Sequence, residues 1–391
     1  MGKRVLMAIG GGKESLPGLD IARSLGLELI VVDGDPQAPG FELADRVLCI
    51  STYDSSAVLA ATRELIASGH RPDGVIAMCA DVPVTVATIA SALGLPGLDL
   101  ATAHRVADKL VMKQCLGDAG IPIPKFCPVS SETPFDDLAD RVGVPFVIKP
   151  VDSRGARGVQ LVDTQSGLPA AIAEAMAHSP TSRVMAESFV VGPQVSTETL
   201  VDQGQCLTPG FSDRNYEWLE ETHPYFIENG GDAPSHLTPH QQRHIRETAE
   251  AAALALGIRC GVAKGDMVLS EQGPVVIEIA GRLSGGYFST LQIPLATGVN
   301  FVEQAIRLAM GYRLSITRDC EANRRAVAIR YLKTRPGTVS GSQPTCSGDP
   351  LPENPPRDGV RYRRPRCVDA GTGHRTFRNR YRRGSNASRD A

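Results

Sequence analysis

Residues 261–287, GVAKGDMVLSEQGPVVIEIAGRLSGGY, place Asp266, Glu278 and Arg282 on or beside two short apolar runs. The runs are 265–269 and 274–280, and Ser270-Glu271-Gln272-Gly273 between them reads as the loop of a β-hairpin. Side chains alternate along a strand, so Glu278, Ala280 and Arg282 share one face, and the hairpin brings Asp266 beside them. A carboxylate on an otherwise apolar strand is costly to bury without a positive partner. Mg²⁺ bridging phosphates is one such partner, because its sites take one or two carboxylates together with phosphate oxygens and water. Arg282 is then placed to clamp an anion. The simpler reading is a hairpin whose acids are solvated or paired with Arg282 or Lys264.

Upstream, 144–150 is an apolar strand that delivers Lys149 near its end, and 151–159, VDSRGARGV, is a loop of small residues and arginines. A lysine neutralises phosphate charge and free loop amides wrap phosphate oxygens. No GK[ST] closes the loop, so it is not a Walker A sequence. Residues 101–120 read as one helix carrying Lys109, ended by Gly120 and the Ile121-Pro122-Ile123-Pro124 segment. The 211–231 tract is rich in aromatics and charges, holds the single Trp and has no clean period, which is the character of a recognition loop. Helices are expected over 238–256, N-capped by Thr238, and over 299–310.

Residues 1–100 alternate strands (5–9, 27–33, 46–50, 74–79) with helices (16–25, 55–68, 82–93), which predicts a parallel, doubly wound sheet. Gly10-Gly11-Gly12 lacks the G-x-G-x-x-G spacing of a dinucleotide site. It reads as a tight turn at the carboxyl edge of the sheet, where open α/β sheets bind small ligands.

In this order the segments resemble the ATP-grasp superfamily, and within it carboxylate–amine ligases of the L-amino acid ligase and carbamoyl-phosphate-synthase-like type. ADKLVMKQCLGDAGIPIPKF is similar to the superfamily's DK…K…L…GIP-P signature, 149–158 to its glycine-rich loop, 183–199 to its hinge and 266–282 to its metal-binding strands. The resemblance implies an α/β and α+β protein. A doubly wound parallel-sheet domain over 1–100 precedes an ATP-grasp domain of two α+β lobes over 101–320, and a C-terminal β lobe begins at 321–341. It implies ATP and Mg²⁺, with Mn²⁺ as an alternative metal. ATP would meet Lys109, Lys149, Ser153, Arg154, Gly155 and Gly158, the hinge backbone at Glu187 and Phe189, and Gln194 at the ribose, where Glu is usual. Glu198 shares a strand face with Gln194 and reads equally as a site or a surface residue. Asp266 and Glu278 would hold metal, with Ala280 standing where the usual Asn supplies a further ligand. Arg282 would be catalytic, and Arg214, Glu228 and Gly285 would line the substrate pocket, with His223 a further candidate.

The implied reaction joins a small carboxylate to an amine, amino acids among them, through an acyl phosphate. The alternatives are a carboxylase of the same superfamily and an inactive nucleotide binder. With 41 Lys+Arg against 43 Asp+Glu, composition gives no reason to expect nucleic acid or an anionic membrane. Nine scattered cysteines without a C-x-x-C pair suit a reduced cytoplasm, and no apolar run is long enough to span a membrane. A homodimer is compatible with all of this. From Arg357 onward there are eleven arginines and no lysine, so 342–391 reads as a disordered or aberrant tail.

Overall fold

Strands β1 (Val5–Ile9), β2 (Glu28–Asp33), β3 (Arg46–Cys49) and β4 (Gly74–Ala77) form a parallel sheet in the order β3-β2-β1-β4. The computed structural model describes residues 3–316 and 325–331 and the backbone of Arg382 and Arg383. Helices α1 (Leu16–Ser24), α2 (Ser55–Ala67) and α3 (Pro83–Leu93) cover the sheet. Leu6, Ala8 and Val31 pack with Leu19 on one side, and Met7, Ile9 and Ile30 pack with Val58 and Ile89 on the other. Burial on both faces is why these strands are continuous apolar runs. The chain order reverses between β1 and β4, so their carboxyl ends border the crevice where such sheets place ligands. Glu14, Cys79 and Asp81 come from these two ends.

The expected helix over 101–120 is two helices, α4 (Leu100–Ala107) and α5 (Lys109–Asp118). Asp108 breaks the run at φ −114° and ψ 111°, and its side chain accepts from the N–H groups of Leu110 and Val111, each at 3.0 Å. An N-capping Asp outweighs the continuous apolar pattern and makes Lys109 the first residue of α5.

A second sheet holds β5 (Phe126–Val129), β6 (Phe146–Pro150), β7 (Gln160–Val162) and β8 (Val184–Ser188), antiparallel in the order β5-β8-β6-β7. Helices α6 (Phe135–Val142) and α7 (Leu168–His178) cover it around Leu138, Phe146, Ile148 and Ile172.

The third sheet is antiparallel and contains β9 (Gln194–Asp202), β10 (Gln205–Asn215), β11 (Gly230–Ala233), β12 (Cys260–Ser270), β13 (Gly273–Ala280), β14 (Val327–Arg330) and β15 (Arg382–Arg383). Its order is β13-β12-β9-β10-β11-β14-β15. Helices α8 (Leu219–Thr222), α9 (Pro239–Ala255), α10 (Ile293–Thr297) and α11 (Phe301–Ala309) complete the α-helices among the described residues. Thr238 caps α9 in a reciprocal capping box with Gln241, as its position before the alanine-rich face predicts. The 211–231 tract is not wholly loop: β10 runs through Asn215 and β11 begins at Gly230. Leu200 and Val262 of this sheet share one core with Leu6, Leu19 and Phe301, so the parallel sheet is packed against it. Apart from the 325–331 stretch and β15, the 321–341 and 342–391 expectations lie outside the described residues.

Candidate active site

Lys109 Nζ ties together segments far apart in sequence: it donates to the Ser153 carbonyl at 2.7 Å and stands 3.1 Å from Glu278 Oε1. Its ammonium therefore joins α5, the glycine-rich loop and the β12–β13 hairpin. The hairpin forms as expected, and Asp266 lies directly across from Glu278 in the β12–β13 register. Opposed residues of an antiparallel pair show their side chains on one face, so the two carboxylates share a surface.

Asp266 is ion-paired with Lys264, lies 2.7 Å from Arg214 Nη1 and accepts from Ser196 Oγ at 3.4 Å. Burial alone would raise its pKa; Arg214 and then Lys264 outweigh burial and hold the carboxyl well below the usual range. The pairing with Lys264 matches the simpler reading of the hairpin. Among the described residues no group of three His, Cys, Asp or Glu side chains is placed to hold a metal ion. Two opposed carboxyl groups without a protein cage fit Mg²⁺, which keeps waters and shares its sphere with phosphate oxygens.

Arg282 does not continue β13, which ends at Ala280. A Cβ on Gly281 would lie 2.6 Å from Leu98 Cδ1, so the chain crosses close to the α3–α4 connection there before Arg282. Arg282 Nη1 donates to the Leu283 carbonyl at 3.1 Å and Nη2 lies 3.5 Å from Asp81 Oδ2 at the end of the parallel sheet. Burial opposes its charge, but Asp81, Glu278, Asp266 and Glu198 together push its pKa up. The guanidinium thus remains a fixed cation beside both candidate metal acids.

Behind this surface lies a buried triad. Glu187 pairs with Lys149 through Oε1, and Lys113 Nζ lies 2.9 Å from Oε2 while donating to the Val276 carbonyl at 3.2 Å. Burial pushes the Glu187 carboxyl up, yet the two lysines hold it below its ordinary value. Burial pushes Lys113 down to about 8 against the pull of Glu187. Sequence reading placed Glu187 by its backbone and left out Lys113, although Lys113 lies one turn after Lys109 on the same helix face.

The glycine-rich loop turns through left-handed conformations at Gly155 (φ +66°) and Gly158 (φ +70°). The Arg154 guanidinium stacks 4.5 Å from the Tyr53 ring centroid, a contact to the N-terminal unit. Phe189 follows β8, and its N–H donates to the Pro145 carbonyl at 3.4 Å; half-buried Gln194 opens β9. Arg214 and Glu228 bind each other, with Nε and Nη2 at 3.0 and 2.6 Å from one oxygen, so these candidates join the Asp266 network. Gly285 sits where a Cβ would come 2.7 Å from Glu14 Oε2, which also accepts from the Gly286 N–H at 2.8 Å. Half-exposed His223 pairs with Asp163 at 3.5 Å, beside β7. Glu198 is wholly buried, and burial pushes its carboxyl up to about 7 against the Ser289, Ser284, Arg282 and Lys264 contributions. The surface reading of Glu198 is therefore set aside. Glu14 and Asp81 were also missed, since nothing in their local sequence marks them.

Family models for an ATP-grasp N-terminal domain and an ATP-grasp domain match residues 19–97 and 106–286. The chain belongs to the ATP-grasp superfamily. It is similar to the L-amino acid ligase from Bacillus licheniformis, with a TM-score of 0.71 and 24% identity over 86% of this chain and 82% of that one. Among sequences it is 26% identical to the uncharacterized protein y4rH of Sinorhizobium fredii over 82% of this chain, and 26% identical to human carnosine synthase 1 over 85%. The chain spans 66% and 42% of the lengths of these two proteins. Among the described residues no helix is long and apolar enough to cross a membrane.

Proposed function

We propose that the chain is an ATP-dependent carboxylate–amine ligase that forms an amide or peptide bond and releases ADP and phosphate in the cytoplasm. The observation that carries this reading is the Lys109 ammonium, 2.7 Å from the glycine-rich loop carbonyl and 3.1 Å from Glu278. It brings a phosphate-type loop and a pair of opposed acids to one point. Lys109, Lys149 and the 153–158 loop would hold the triphosphate. The 187–189 hinge and Gln194 would hold the nucleoside. Asp266 and Glu278 would hold Mg²⁺, which when bound neutralises phosphate charge.

A substrate carboxylate oxygen attacks the γ-phosphorus and ADP leaves; an amine nitrogen then attacks the acyl carbon, phosphate departs and the amine loses a proton. Arg282 supplies charged hydrogen bonds to the transferring phosphoryl group. Arg214, Glu228 and Gly285 border the substrates. No protein nucleophile is needed. The resemblance to L-amino acid ligase and carnosine synthase favours amino acids as substrates. The two units of the reaction are then a parallel-sheet domain over 1–100 and an ATP-grasp domain over 101–320.

The test is Mg²⁺-ATP-dependent phosphate release against paired amino acids, with Glu278→Gln as the blank. Release that needs both partners is expected. Release that follows bicarbonate instead would make the chain a carboxylase, and ATP binding without release from any pair would overturn the ligase reading.

A further inference from the structure

We propose that Glu198 is a positioning residue that anchors the 281–289 segment, and Arg282 with it, from inside the protein. Glu198 points into the core from β9, opposite Lys264 of β12 and next to the register shift in β10 at Gly210. Its Oε1 accepts from the Ser284 N–H and from Ser289 Oγ, both at 2.6 Å, and Ser284 N–H also lies 2.8 Å from Ser289 Oγ. Its Oε2 is buried without a hydrogen-bond partner.

A buried carboxylate with one unsatisfied oxygen costs free energy that a purely packing role would not require. What it secures is the turn after β13. Ser284 is two residues beyond Arg282 and directly precedes Gly285, and Ser289 closes the turn at 0% exposure. The outer face of the turn has an exposed contact from the Gly286 N–H to Glu14 at 2.8 Å and a part-buried one from Tyr331 OH to the Gly286 carbonyl at 3.3 Å. On the inner side Glu198 Oε1 is the acceptor supplied by the third sheet, beside the turn's own Ser289 Oγ, and Cys79 Sγ donates to the Ser284 carbonyl at 3.8 Å.

The turnover arm of the test rests on the ligase reading; the exchange arm does not. In full-length protein, Glu198→Ala should speed amide exchange across 281–289 about tenfold or more while leaving 273–280 near wild type, as for a local opening. Glu198→Gln keeps an oxygen at the Oε1 position and should restore most of that protection. With the amino-acid pair that supports phosphate release, Glu198→Ala should lower kcat roughly 100-fold with the KM for ATP within a few fold, the loss expected from misplacing a reacting group by about 1 Å. Glu198→Gln should recover most of that loss. Should Glu198→Ala fail to fold, Ser289→Ala removes one donor and should move exchange in the same direction. Unchanged exchange over 281–289, or a rise spread evenly over the chain, would overturn the proposal. So would local loosening with kcat intact. If no pair supports turnover in the wild type, the ligase reading fails, while the exchange contrast between Ala and Gln still decides the anchor.

Discussion

Glu187→Gln should destabilise this protein more than Lys113→Met, although the first change keeps shape and the second removes a whole ammonium. Lys113 is 0% exposed and Glu187 3%, with 2.9 Å between Nζ and Oε2 and Lys149 on the other oxygen. At that distance and an effective dielectric of about 20, one contact is worth about 6 kcal/mol of attraction. Against it stands a desolvation cost of several kcal/mol per ion. Lys113→Met removes one attraction but also one badly solvated cation, and Glu187 keeps Lys149, so the net loss should be about 2 kcal/mol. Glu187→Gln leaves two buried ammoniums facing a neutral amide, so the loss should reach ~3–5 kcal/mol.

Urea unfolding followed by circular dichroism reads the order from the transition midpoints. The pH dependence is a second readout. Lys113 ionises near 8 in the folded protein and at 10.5 when unfolded, so the unfolded chain holds more protons between those values. The Lys113 contribution to stability therefore rises with pH from about 8 to 10.5, and Lys113→Met should lack that part of the slope. Equal midpoint losses for the two variants, or identical slopes above pH 8, would refute the charged triad.

Three further outcomes are expected. Arg282→Ala should abolish turnover while leaving ATP affinity within a few fold in a direct binding titration; lost nucleotide binding would move Arg282 into a structural role. Glu198 has a folded pKa of about 7 against 4.5, so its contribution to stability is largest below 4.5 and is lost as pH rises toward 7. Glu198→Gln should gain stability relative to wild type across that window, and a parallel pair of unfolding curves would refute this. Gly158→Ala should cost more than Gly155→Ala in thermal unfolding. Both adopt left-handed φ, a penalty of ~1–2 kcal/mol, but a Cβ at Gly158 would lie 3.1 Å from Ala175 Cα and one at Gly155 meets open space.

The hairpin of β12 and β13, the strand that ends in Lys149 and the parallel sheet were legible because each is a short apolar run bounded by turn residues. The hairpin put Asp266 near Glu278, but loop length alone would set Asp266 opposite Ile277, and the bulge between Asp266 and Met267, which the sequence did not reveal, shifts the pairing to Glu278. The break at Asp108 was hidden because an apolar helical pattern runs through it on both sides, and a single capping side chain decides the matter locally. Glu14, Asp81 and the anchoring partners of Glu198 were illegible for a different reason. Glu14 reaches Gly286 across 272 residues and Ser289 reaches Glu198 across 91, and no spacing rule spans such separations.

The same break explains how two lobes come to share one site. By starting α5 at Lys109, Asp108 sets Lys109 and Lys113 one turn apart on a buried face. Lys109 then touches the Ser153 carbonyl beside the second sheet and Glu278 in the third. Lys113 repeats the pattern with Glu187 in β8 and the Val276 carbonyl in β13. One helical turn therefore bridges the two sheets twice, through two ammoniums. Each lysine has an anionic partner already in place, so a triphosphate arriving at Lys109 and Lys149 would compete with Glu278 and Glu187 for them. On the proposed ligase reading, the acid that would lose Lys109 is the one facing Asp266, and Glu278 would then be free to take a divalent cation.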